Sequence, residues 1–385
     1  MSYLIEQHES YFSHVKHMQQ DIKLIRKKIK HHLRPILIMK AAYVSGPADV
    51  QIKNVERPQV NRGEILVTMK ACGVCGSDLE KIYGKYSQPS MRLGHEPSGV
   101  VSVVGEGVTD FKKGDRVFAH HHVPCYSCHF CTHGNETMCQ KYSETNLTPC
   151  GLAEEFVVPE WNVSHGGIIK LPDHVSFEEA SMIEPLACCI RAWKKIKFKK
   201  GDSVAILGAG PTGMMHLMLS KFYGINEIFC FDLNEFRLNF AKQFGITEAI
   251  KSTDSDAYQK ILSKTQGRGV DVVMVATGSL TAIGQAVDLV RKGGTVMLFG
   301  VPSKDAKMSL DMSMIYSKEI TIIPSYAASE NDTNEALKLI EQNAIDVKRL
   351  ITHKFDLKES SKALEYAHQG NDSMKIVITN SETLN

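Results

Sequence analysis

The stretch "SVAILGAGPTGMM", residues 203–215, is the most informative segment of this chain for its architecture. An apolar strand pattern leads into Gly208, Gly210 and Gly213, spaced G-x-G-x-x-G, and a helical pattern follows at once. In that context the spacing predicts a dinucleotide site. Gly208 permits a tight turn, Gly210 lets the backbone approach a pyrophosphate, and Gly213 allows the helix to pack closely on the strand. We expect the N–H groups at the start of the helix to bind the phosphates.

The strand after this glycine turn indicates which cofactor is bound. It reads "IFCFD" and ends at Asp232, 24 positions after Gly208. A carboxylate at this position can accept hydrogen bonds from an adenosine ribose, and it would repel the 2′-phosphate of NADP. We therefore expect NAD.

The pattern of apolar and polar residues differs between the two sides of the glycine turn. From about Lys200, almost uninterrupted apolar runs alternate with helical patterns, which indicates a parallel sheet covered on both faces. From Met39 to that point, short alternating strands are punctuated by Gly and Pro, which predicts a mostly β domain. The pattern becomes mixed again near the end of the chain, which closes with the strand "SMKIVITN".

Residues 1–38 differ from everything after them. Apolar or aromatic side chains fall at the spacing of one helix face, at Tyr11, Val15, Met18, Ile22, Ile25 and Ile29. The other faces are rich in Lys and Arg, and Pro35 ends the pattern. This predicts a basic amphipathic helix that packs on the main body or on a second subunit. The alternatives are a membrane-surface or nucleic-acid role, which interspersed acidic residues weaken, and an upstream start with Met39 as the beginning of the working protein.

The bulk composition excludes several classes of partner. The 385 residues are 43% hydrophobic and 23% charged with a formal net charge of +2, so we expect no nucleic-acid or membrane partner. No apolar run approaches the roughly 18 residues that a membrane span needs, and the first residues lack the pattern of a secretory leader. We expect a cytoplasmic protein, whose ten cysteines serve metal binding or catalysis rather than disulfides.

"PCYSCHFCTHGNETMC", residues 124–139, places Cys125, Cys128, Cys131 and Cys139 at C-x2-C-x2-C-x7-C spacing. Thiolates at these gaps can converge on one tetrahedral zinc ion, and four sulfurs leave no position for water or substrate. The predicted role is therefore structural. An iron–sulfur cluster would use the same thiolates, but the gap of seven and the lack of a following Pro do not fit the bacterial ferredoxin run. Disulfides or a metal-free loop are the remaining alternatives.

Candidates for an open metal site lie in three separate motifs. "ACGVCGSDLEKIYG" contains Cys75 and Ser77, "LGHEPSG" contains His95 and Glu96, and "SMIEPLACC" contains Glu184. One thiolate, one imidazole and one or two carboxylates make a zinc site with three protein ligands and a position left for water or substrate. Taken singly, each motif is weak, because a lone Cys75 is more often buried packing and a His-Glu pair is more often a surface hydrogen bond.

In this order, and followed by the glycine turn, the motifs resemble those of the zinc-dependent alcohol dehydrogenases of the medium-chain dehydrogenase/reductase superfamily, with the sorbitol and threonine dehydrogenase branch as the nearest match. The resemblance covers Met39 to about Asn380. It implies an α/β fold class, with a GroES-like β-barrel catalytic domain and a Rossmann NAD-binding domain, to which the N-terminal amphipathic helix is added.

The resemblance also implies domain boundaries. The helical extension comprises residues 1–38, and the catalytic domain comprises 39–186, with the structural zinc lobe at about 124–140. The Rossmann domain comprises 187–326, and 327–385 return to the catalytic domain.

Matching positions imply a role for each motif residue. Cys75 and His95 would bind a catalytic zinc, and Glu184 stands where this branch has a glutamate. Glu96 matches a glutamate that serves as a ligand or exchanges with one, and Ser77 matches the hydroxyl that relays the substrate proton. The candidate cofactor-binding residues are Gly208, Gly210, Pro211, Thr212, Gly213, Asp232, Arg237, Ala276, Thr277, Phe299 and Gly300. The last four match strand ends that contact the nicotinamide, and ordinary strand ends are the alternative.

Two of the catalytic candidates carry their own alternatives. Neighbouring side chains of an extended chain point to opposite sides, and Pro97 holds Glu96 in the extended region. His95 and Glu96 can therefore bind one ion together only if the backbone bends there. Glu80 stands where the family relay often has a histidine, so it is either the next proton acceptor or an exposed charge.

The implied activity is reversible oxidation of a secondary alcohol, such as a polyol, a sugar alcohol or a threonine-like substrate, to a ketone, with hydride transfer to NAD. The implied cofactors are NAD and two Zn²⁺ per subunit, one catalytic and one structural. A primary alcohol dehydrogenase that forms an aldehyde is the alternative, and Glu184 argues against it. A non-catalytic nucleotide-binding relative is a further alternative, against which the retained zinc ligands argue. The implied assembly is a homo-oligomer, with a tetramer favoured over a dimer.

Overall fold

The structure is a computed structural model that describes residues 37–85 and 87–381. The predicted N-terminal helix lies outside the described residues, apart from the last two positions of its range. The predicted α/β class is confirmed, because the chain builds one all-parallel sheet flanked by helices and one mainly antiparallel sheet.

The strands of the described residues fall into three sheets. In chain order they are β1 Ile38–Gly46, β2 Asp49–Glu56, β3 Ile65–Gly73, β4 Pro97–Val104, β5 Arg116–Ala119, β6 Glu155–Val158, β7 Ile168–Lys170, β8 Ser203–Leu207, β9 Glu227–Asp232, β10 Glu248–Lys251, β11 Val270–Val275, β12 Val290–Leu298, β13 Thr321–Pro324, β14 Ile351–Asp356 and β15 Lys375–Thr379. β1 and β2 form a separate two-stranded sheet.

The helices of the same residues connect and cover these sheets. They are α1 Gly76–Tyr83, α2 His129–Thr132, α3 Gln140–Glu144, α4 Glu160–Ser164, α5 Phe177–Ala180, α6 Ile183–Lys194, α7 Pro211–Phe222, α8 Glu235–Lys242, α9 Ala257–Lys264, α10 Leu280–Leu289, α11 Met312–Ser317, α12 Glu330–Glu341 and α13 Ser360–Gln369, with 3₁₀ turns at Glu136–Met138, Val347–Leu350 and Leu357–Glu359. None of them is long and apolar enough to span a membrane.

The parallel sheet has the strand order β10-β9-β8-β11-β12-β13. Every residue of β8 and β11 is buried, as expected for strands covered by helices on both faces. The strand order reverses between β8 and β11, and a ligand crevice forms at such a switch point, outside the carboxyl ends of the strands. The glycine turn joins β8 to α7 at this edge, with Pro211 in the first turn of the helix, where its missing N–H costs nothing.

The antiparallel sheet has the order β14-β15-β3-β4-β5-β7, and β6 pairs with the N-terminal part of β3. β15, from the end of the chain, pairs antiparallel with β3, which places Val377 opposite Gly73. This register brings the last strand beside the segment that contains Cys75. The domain boundaries given above stay predictions.

Candidate functional site

Three metal-binding candidates meet at one end of the antiparallel sheet. Cys75 is the N-cap residue of α1, while His95 and Glu96 occupy a bend immediately before β4. The ligand atoms of these three residues all lie within 4.8 Å of one another. The backbone therefore bends at His95 and Glu96, which allows both side chains to face one ion.

Asp78 orients the imidazole of His95. Its carboxylate is fully buried, and Oδ1 lies 3.4 Å from His95 Nδ1 and accepts the backbone N–H of Gly94 at 3.2 Å. Burial alone would lower the pKa of His95, but the charges of Asp78 and Cys75 outweigh it and hold that pKa well above its usual value. Burial likewise favours the neutral form of Asp78, yet His95 keeps the pKa of Asp78 below its usual value. With Nδ1 directed at Asp78, Nε2 is left for a ligand.

Glu96 is held by a lysine from the far end of the chain. Its Oε2 lies 2.6 Å from Nζ of Lys375, and both side chains are buried. Burial raises the pKa of Glu96, while the ammonium of Lys375 opposes that shift. Burial lowers the pKa of Lys375, but Glu96 outweighs it and the pKa is raised. Gly73 makes this approach possible, because a Cβ there would stand 1.9 Å from Glu96 Oε2.

Glu184 does not belong to the three-residue group. It lies in the first turn of α6, and its Oε1 accepts a hydrogen bond from Cys188 Sγ at 3.4 Å. The next residue, Cys189, donates to the carbonyl oxygen of Thr212 at 3.7 Å. One helix thus carries Glu184 and contacts the glycine turn.

The chemistry of the donor set suits zinc. A thiol, an imidazole and a carboxylate are zinc ligands, and three of them leave an open coordination position. Glu96 Oε1 is buried and has no hydrogen-bond partner among the described residues, so it is a candidate ligand atom. Cys75, His95 and Glu96 therefore fit a zinc ion, as the sequence motifs predict.

The four cysteines of the lobe also converge. Their Sγ atoms lie within 4.8 Å of one another, with Cys128 to Cys131 and Cys125 to Cys139 both at 3.6 Å. All ten cysteines are free, so the disulfide alternative has no support here. Four thiols at these distances match a closed tetrahedral zinc site.

The lobe is tied to α6 and α12. Arg191 on α6 pairs with Glu136 at 2.8 Å and donates to the carbonyl oxygen of Gly134 at 3.1 Å. Glu330, the first residue of α12, accepts a hydrogen bond from the hydroxyl of Tyr126. The hydroxyl of Tyr142 donates to the carbonyl oxygen of Ala328 at 3.0 Å. These bonds fix the position of the lobe, which supports a structural role.

The glycine turn has the shape that a dinucleotide requires. Gly208 has φ +97°, which favours glycine, and a Cβ on Gly213 would stand 1.8 Å from the carbonyl oxygen of Gly208. Among the residues that the structure describes, a Cβ built on Gly210 would meet the side chain of Arg237, at 3.5 Å. Pro211 and Thr212 begin α7, whose first N–H groups are free for phosphate oxygens. The residues fit NAD.

Asp232 lies at the end of β9, beside the turn. Its Oδ2 accepts the N–H of Ala209 at 2.8 Å, and its Oδ1 accepts the N–H of Asn234 at 2.9 Å. Arg237 Nη1 lies 3.8 Å from Oδ2. Each carboxylate oxygen retains a lone pair for a ribose hydroxyl, because a carboxylate offers about four acceptor positions.

The ends of β8, β11 and β12 meet at the same edge. A Cβ on Gly208 would stand 3.0 Å from the carbonyl oxygen of Ala276, and one on Gly300 would stand 2.3 Å from the backbone of Thr277. Phe299 packs edge-to-face on the buried ring of His216, with centroids 4.5 Å apart. The four predicted nicotinamide contacts are therefore neighbours in space. Their contact with the nicotinamide stays a prediction.

Ser77 and Glu80 are exposed on α1, three residues apart and hence on one side of the helix. Ser77 is two residues from Cys75. The carboxylate of Glu80 folds over Gly84, where a Cβ would stand 2.4 Å from Glu80 Oε1. The roles of Ser77 and Glu80 in proton transfer stay predictions.

Two residues of the site were not identified from the sequence. Asp78 follows Cys75 at helical spacing, and Lys375 interrupts the apolar strand "SMKIVITN", a position that indicates a buried charge. A charged residue inside an otherwise apolar strand implies a partner. The partner itself, Glu96, is 279 positions away in sequence.

Comparisons with known proteins agree with this geometry. The Alcohol dehydrogenase GroES-like domain family matches residues 61–173, and the Zinc-binding dehydrogenase family matches residues 211–342. The Sorbitol dehydrogenase of Bacillus subtilis (strain 168) is 31% identical over 347 residues, which cover 88% of this chain and 97% of that protein.

Solved structures of dehydrogenases are also similar to this chain. The 2R,3R-butanediol dehydrogenase from Bacillus subtilis is 26% identical with a TM-score of 0.78, covering 89% of this chain and 100% of that one. An alcohol dehydrogenase (rspB) from E. coli CFT073, complexed with NADH, is 26% identical with a TM-score of 0.79, covering 89% of this chain and 99% of that one. The predicted GroES-like and Rossmann architecture, the zinc and NAD cofactors and the family resemblance are confirmed. The chain therefore belongs to the zinc-dependent alcohol dehydrogenases of the medium-chain dehydrogenase/reductase superfamily, in its sorbitol dehydrogenase-like branch.

Proposed function

We propose that this chain is an NAD-dependent enzyme that oxidises a secondary alcohol, of the polyol or sugar-alcohol class, to a ketone. One observation carries the proposal. Burial raises the pKa of Glu96, and the charge of Glu184 on α6 adds to that shift, so Glu184 lies near the metal-binding group. The same helix contacts the glycine turn through the bond from Cys189 to the carbonyl oxygen of Thr212. Hydride transfer requires that the alcohol and the nicotinamide meet in this way.

The names of the relatives support the substrate class. The similar proteins described above are a sorbitol dehydrogenase and a 2R,3R-butanediol dehydrogenase, and both named substrates carry hydroxyls on neighbouring secondary carbons. A glutamate at position 184 is also the residue that this branch carries. We assign the same class of substrate to this chain.

In the proposed mechanism, Cys75, His95 and a carboxylate from Glu96 or Glu184 would hold the catalytic zinc, which would supply the Lewis acidity that lowers the pKa of an alcohol hydroxyl. NAD on the glycine turn supplies the hydride acceptor. Asp78 keeps the ring of His95 in one orientation, and Lys375 holds Glu96 in place. The closed lobe of four cysteines takes no part in the reaction.

The hydroxyl proton must leave a partly enclosed site. We assign its first acceptor to Ser77, two residues after Cys75, and the next to Glu80, which shares an exposed face of α1 with Ser77. A carboxylate is among the groups that can act as a general base. The variant Glu80→Gln should slow oxidation near neutral pH, and a pH–rate profile identical to that of the wild type would exclude Glu80 from the path.

A coupled assay tests the proposed function. The zinc-loaded protein is incubated with NAD and, in turn, sorbitol, xylitol, 2,3-butanediol, 2-butanol, threonine and ethanol, and NADH is followed by absorbance. We expect turnover of the polyols and secondary alcohols and little with ethanol, and we expect a chelator to abolish it. Faster oxidation of ethanol than of every secondary alcohol would assign the chain to primary alcohols instead.

Cofactor choice gives a prediction at Asp232. We expect NADH to bind at least about tenfold more tightly than NADPH, because the 2′-phosphate would be placed against the carboxylate of Asp232. The variant Asp232→Ser should reduce that ratio by weakening NADH and relieving the repulsion of NADPH. Titration by the fluorescence of the reduced nicotinamide measures both constants. Tighter NADPH binding by the wild-type protein would remove the role given to Asp232.

We further propose that the chain resides in a reducing compartment such as the cytoplasm, and that it forms a homo-oligomer, with a tetramer favoured over a dimer. The segment from Val301 to Tyr326 supports the oligomer. Its two end residues are large, apolar and exposed, and so are Met312 and Tyr316, the latter at 86%. This segment includes β13, the edge strand of the parallel sheet, and exposed apolar surface at a sheet edge is typical of an interface. Light scattering of the purified protein gives the mass, and a monomer would contradict the proposal.

A further inference from the structure

Three consecutive histidines, His120, His121 and His122, follow β5 and lead into the cysteine lobe. The outer two have a partner for Nδ1. His120 Nδ1 lies 2.7 Å from Glu330 Oε1, and His122 Nδ1 lies 2.5 Å from the carbonyl oxygen of Thr145. Nδ1 of His121 and Nε2 of His120 are also buried, yet neither has a hydrogen-bond partner in the described ranges.

His121 stands beside the candidate catalytic group without belonging to it. The centroid of its ring is 5.1 Å from that of His95, and the side chain as a whole is only half-buried. It is absent from the group of Cys75, His95 and Glu96 whose ligand atoms lie within 4.8 Å of one another. Its position is that of a neighbour to whatever occupies the open coordination position.

The backbone of this segment is held in place. The side-chain amide of Asn162, which is fully buried, donates to the carbonyl oxygens of His120 and His121 at 2.9 and 3.1 Å. The N–H of His120 donates to the carbonyl oxygen of Gly167 at 2.7 Å. Because the backbone is fixed, the ring of His121 is held in a defined position beside the ring of His95, as specificity requires.

A buried polar nitrogen without a partner is unfavourable unless a ligand supplies the missing hydrogen bond. An imidazole can both donate and accept through its two nitrogens, so a hydroxyl, which also does both, is a suitable partner. A metal-bound alcohol that lacks a second polar group would leave Nδ1 unpaired. An alcohol with a hydroxyl on the adjacent carbon would satisfy it.

We propose that His121 is a specificity-determining residue, whose ring binds the hydroxyl on the carbon next to the one that is oxidised. This inference rests on the proposed function and narrows its substrate class to vicinal diols and the polyols that contain them. It assigns selection among alcohols to a side chain outside both metal-binding groups.

The test compares two alcohols that differ by this one hydroxyl, 2,3-butanediol and 2-butanol. In the zinc-loaded variant His121→Leu, kcat/KM for 2,3-butanediol should fall about tenfold relative to that for 2-butanol, the effect of losing one neutral hydrogen bond. The variant His121→Gln keeps a donor and an acceptor and should recover part of the preference. The matched control is His174→Leu, at an exposed histidine that bonds the carbonyl oxygen of Glu341 at 3.2 Å, and its ratio should equal that of the wild type.

A second readout is independent of turnover. The dissociation constant of 2,3-butanediol from the complex with NADH, measured by quenching of the nicotinamide fluorescence, should rise in His121→Leu with unchanged zinc content. An equal loss of kcat/KM for both alcohols, or an unchanged ratio, would overturn the inference and leave the proposed function standing. A wild-type enzyme that oxidises none of the polyols and secondary alcohols of the coupled assay would overturn the proposed function, and the inference with it.

Discussion

The variant Cys75→Ala should lose at least about a thousandfold in kcat/KM, because a catalytic zinc contributes several kcal/mol of stabilisation to the developing alkoxide. Cys75 is the thiol of the three-residue group and lies at the N-terminus of α1, where its side chain is only half-buried. Its replacement should leave the fold and the lobe intact. We therefore expect the zinc content to fall by one ion per chain while NADH still binds.

The control for this change is Cys150→Ala. Cys150 is buried in the same domain, and it belongs to neither group of metal-binding candidates. It should retain its zinc and its activity, although the cavity lowers stability somewhat. Elemental analysis and circular dichroism accompany the assay. Should Cys75→Ala retain its full zinc content and activity within about tenfold of the wild type, Cys75 is not a ligand.

The variant Lys375→Met should lower the free energy of unfolding by about 3–5 kcal/mol, the usual result of removing one partner from a buried ion pair. Lys375 and Glu96 are both buried, with Nζ 2.6 Å from Oε2, so the carboxylate would lose its counter-charge and gain no access to water. Activity should fall as well, because Glu96 would no longer be held in place beside His95. Denaturant unfolding of the zinc-loaded protein measures the loss of stability.

Two further variants separate charge from packing at this pair. Lys375→Arg keeps the positive charge and should lose much less stability than Lys375→Met. The double variant Glu96→Gln with Lys375→Met removes both charges and should recover most of the stability, since an isosteric neutral pair avoids the desolvation of two ions. If the double variant is as unstable as the sum of the single ones, the two side chains are not coupled.

Local patterns were sufficient for the motifs that depend on short spacing. Each of these motifs lies within a short segment: the glycine turn, the four-cysteine run and each apolar strand of the parallel sheet. In a short segment, the spacing of residues in the sequence determines their spacing in the structure. α7 begins at Pro211, as its pattern predicts, and ends at Phe222. β5 ends at Ala119, immediately before the three histidines.

The choice between Glu96 and Glu184 shows where local patterns fail. Extended geometry argues against joint binding by His95 and Glu96, and the outcome depends on a bend that neighbouring elements impose. In the structure Glu96, not Glu184, lies in the three-residue group with Cys75 and His95. Periodicity cannot predict this, because the segment around the bend is held by contacts from elsewhere in the chain, such as the bond from the Gly94 N–H to Asp78 and the ion pair of Glu96 with Lys375.

The amino-acid sequence alone thus determined the fold class, the family and the identity of the metal- and nucleotide-binding candidates, since these depend on residue types at short, fixed spacing. The tertiary structure alone decided which charges are paired and which polar atoms are left for a ligand. Lys375 reaches Glu96 only because β15 pairs with β3, and the two residues are 279 positions apart. Of the three consecutive histidines, His121 is the one whose Nδ1 lacks a partner among the described residues. The register between distant strands arises from the packing of the whole core, which no short stretch of sequence encodes.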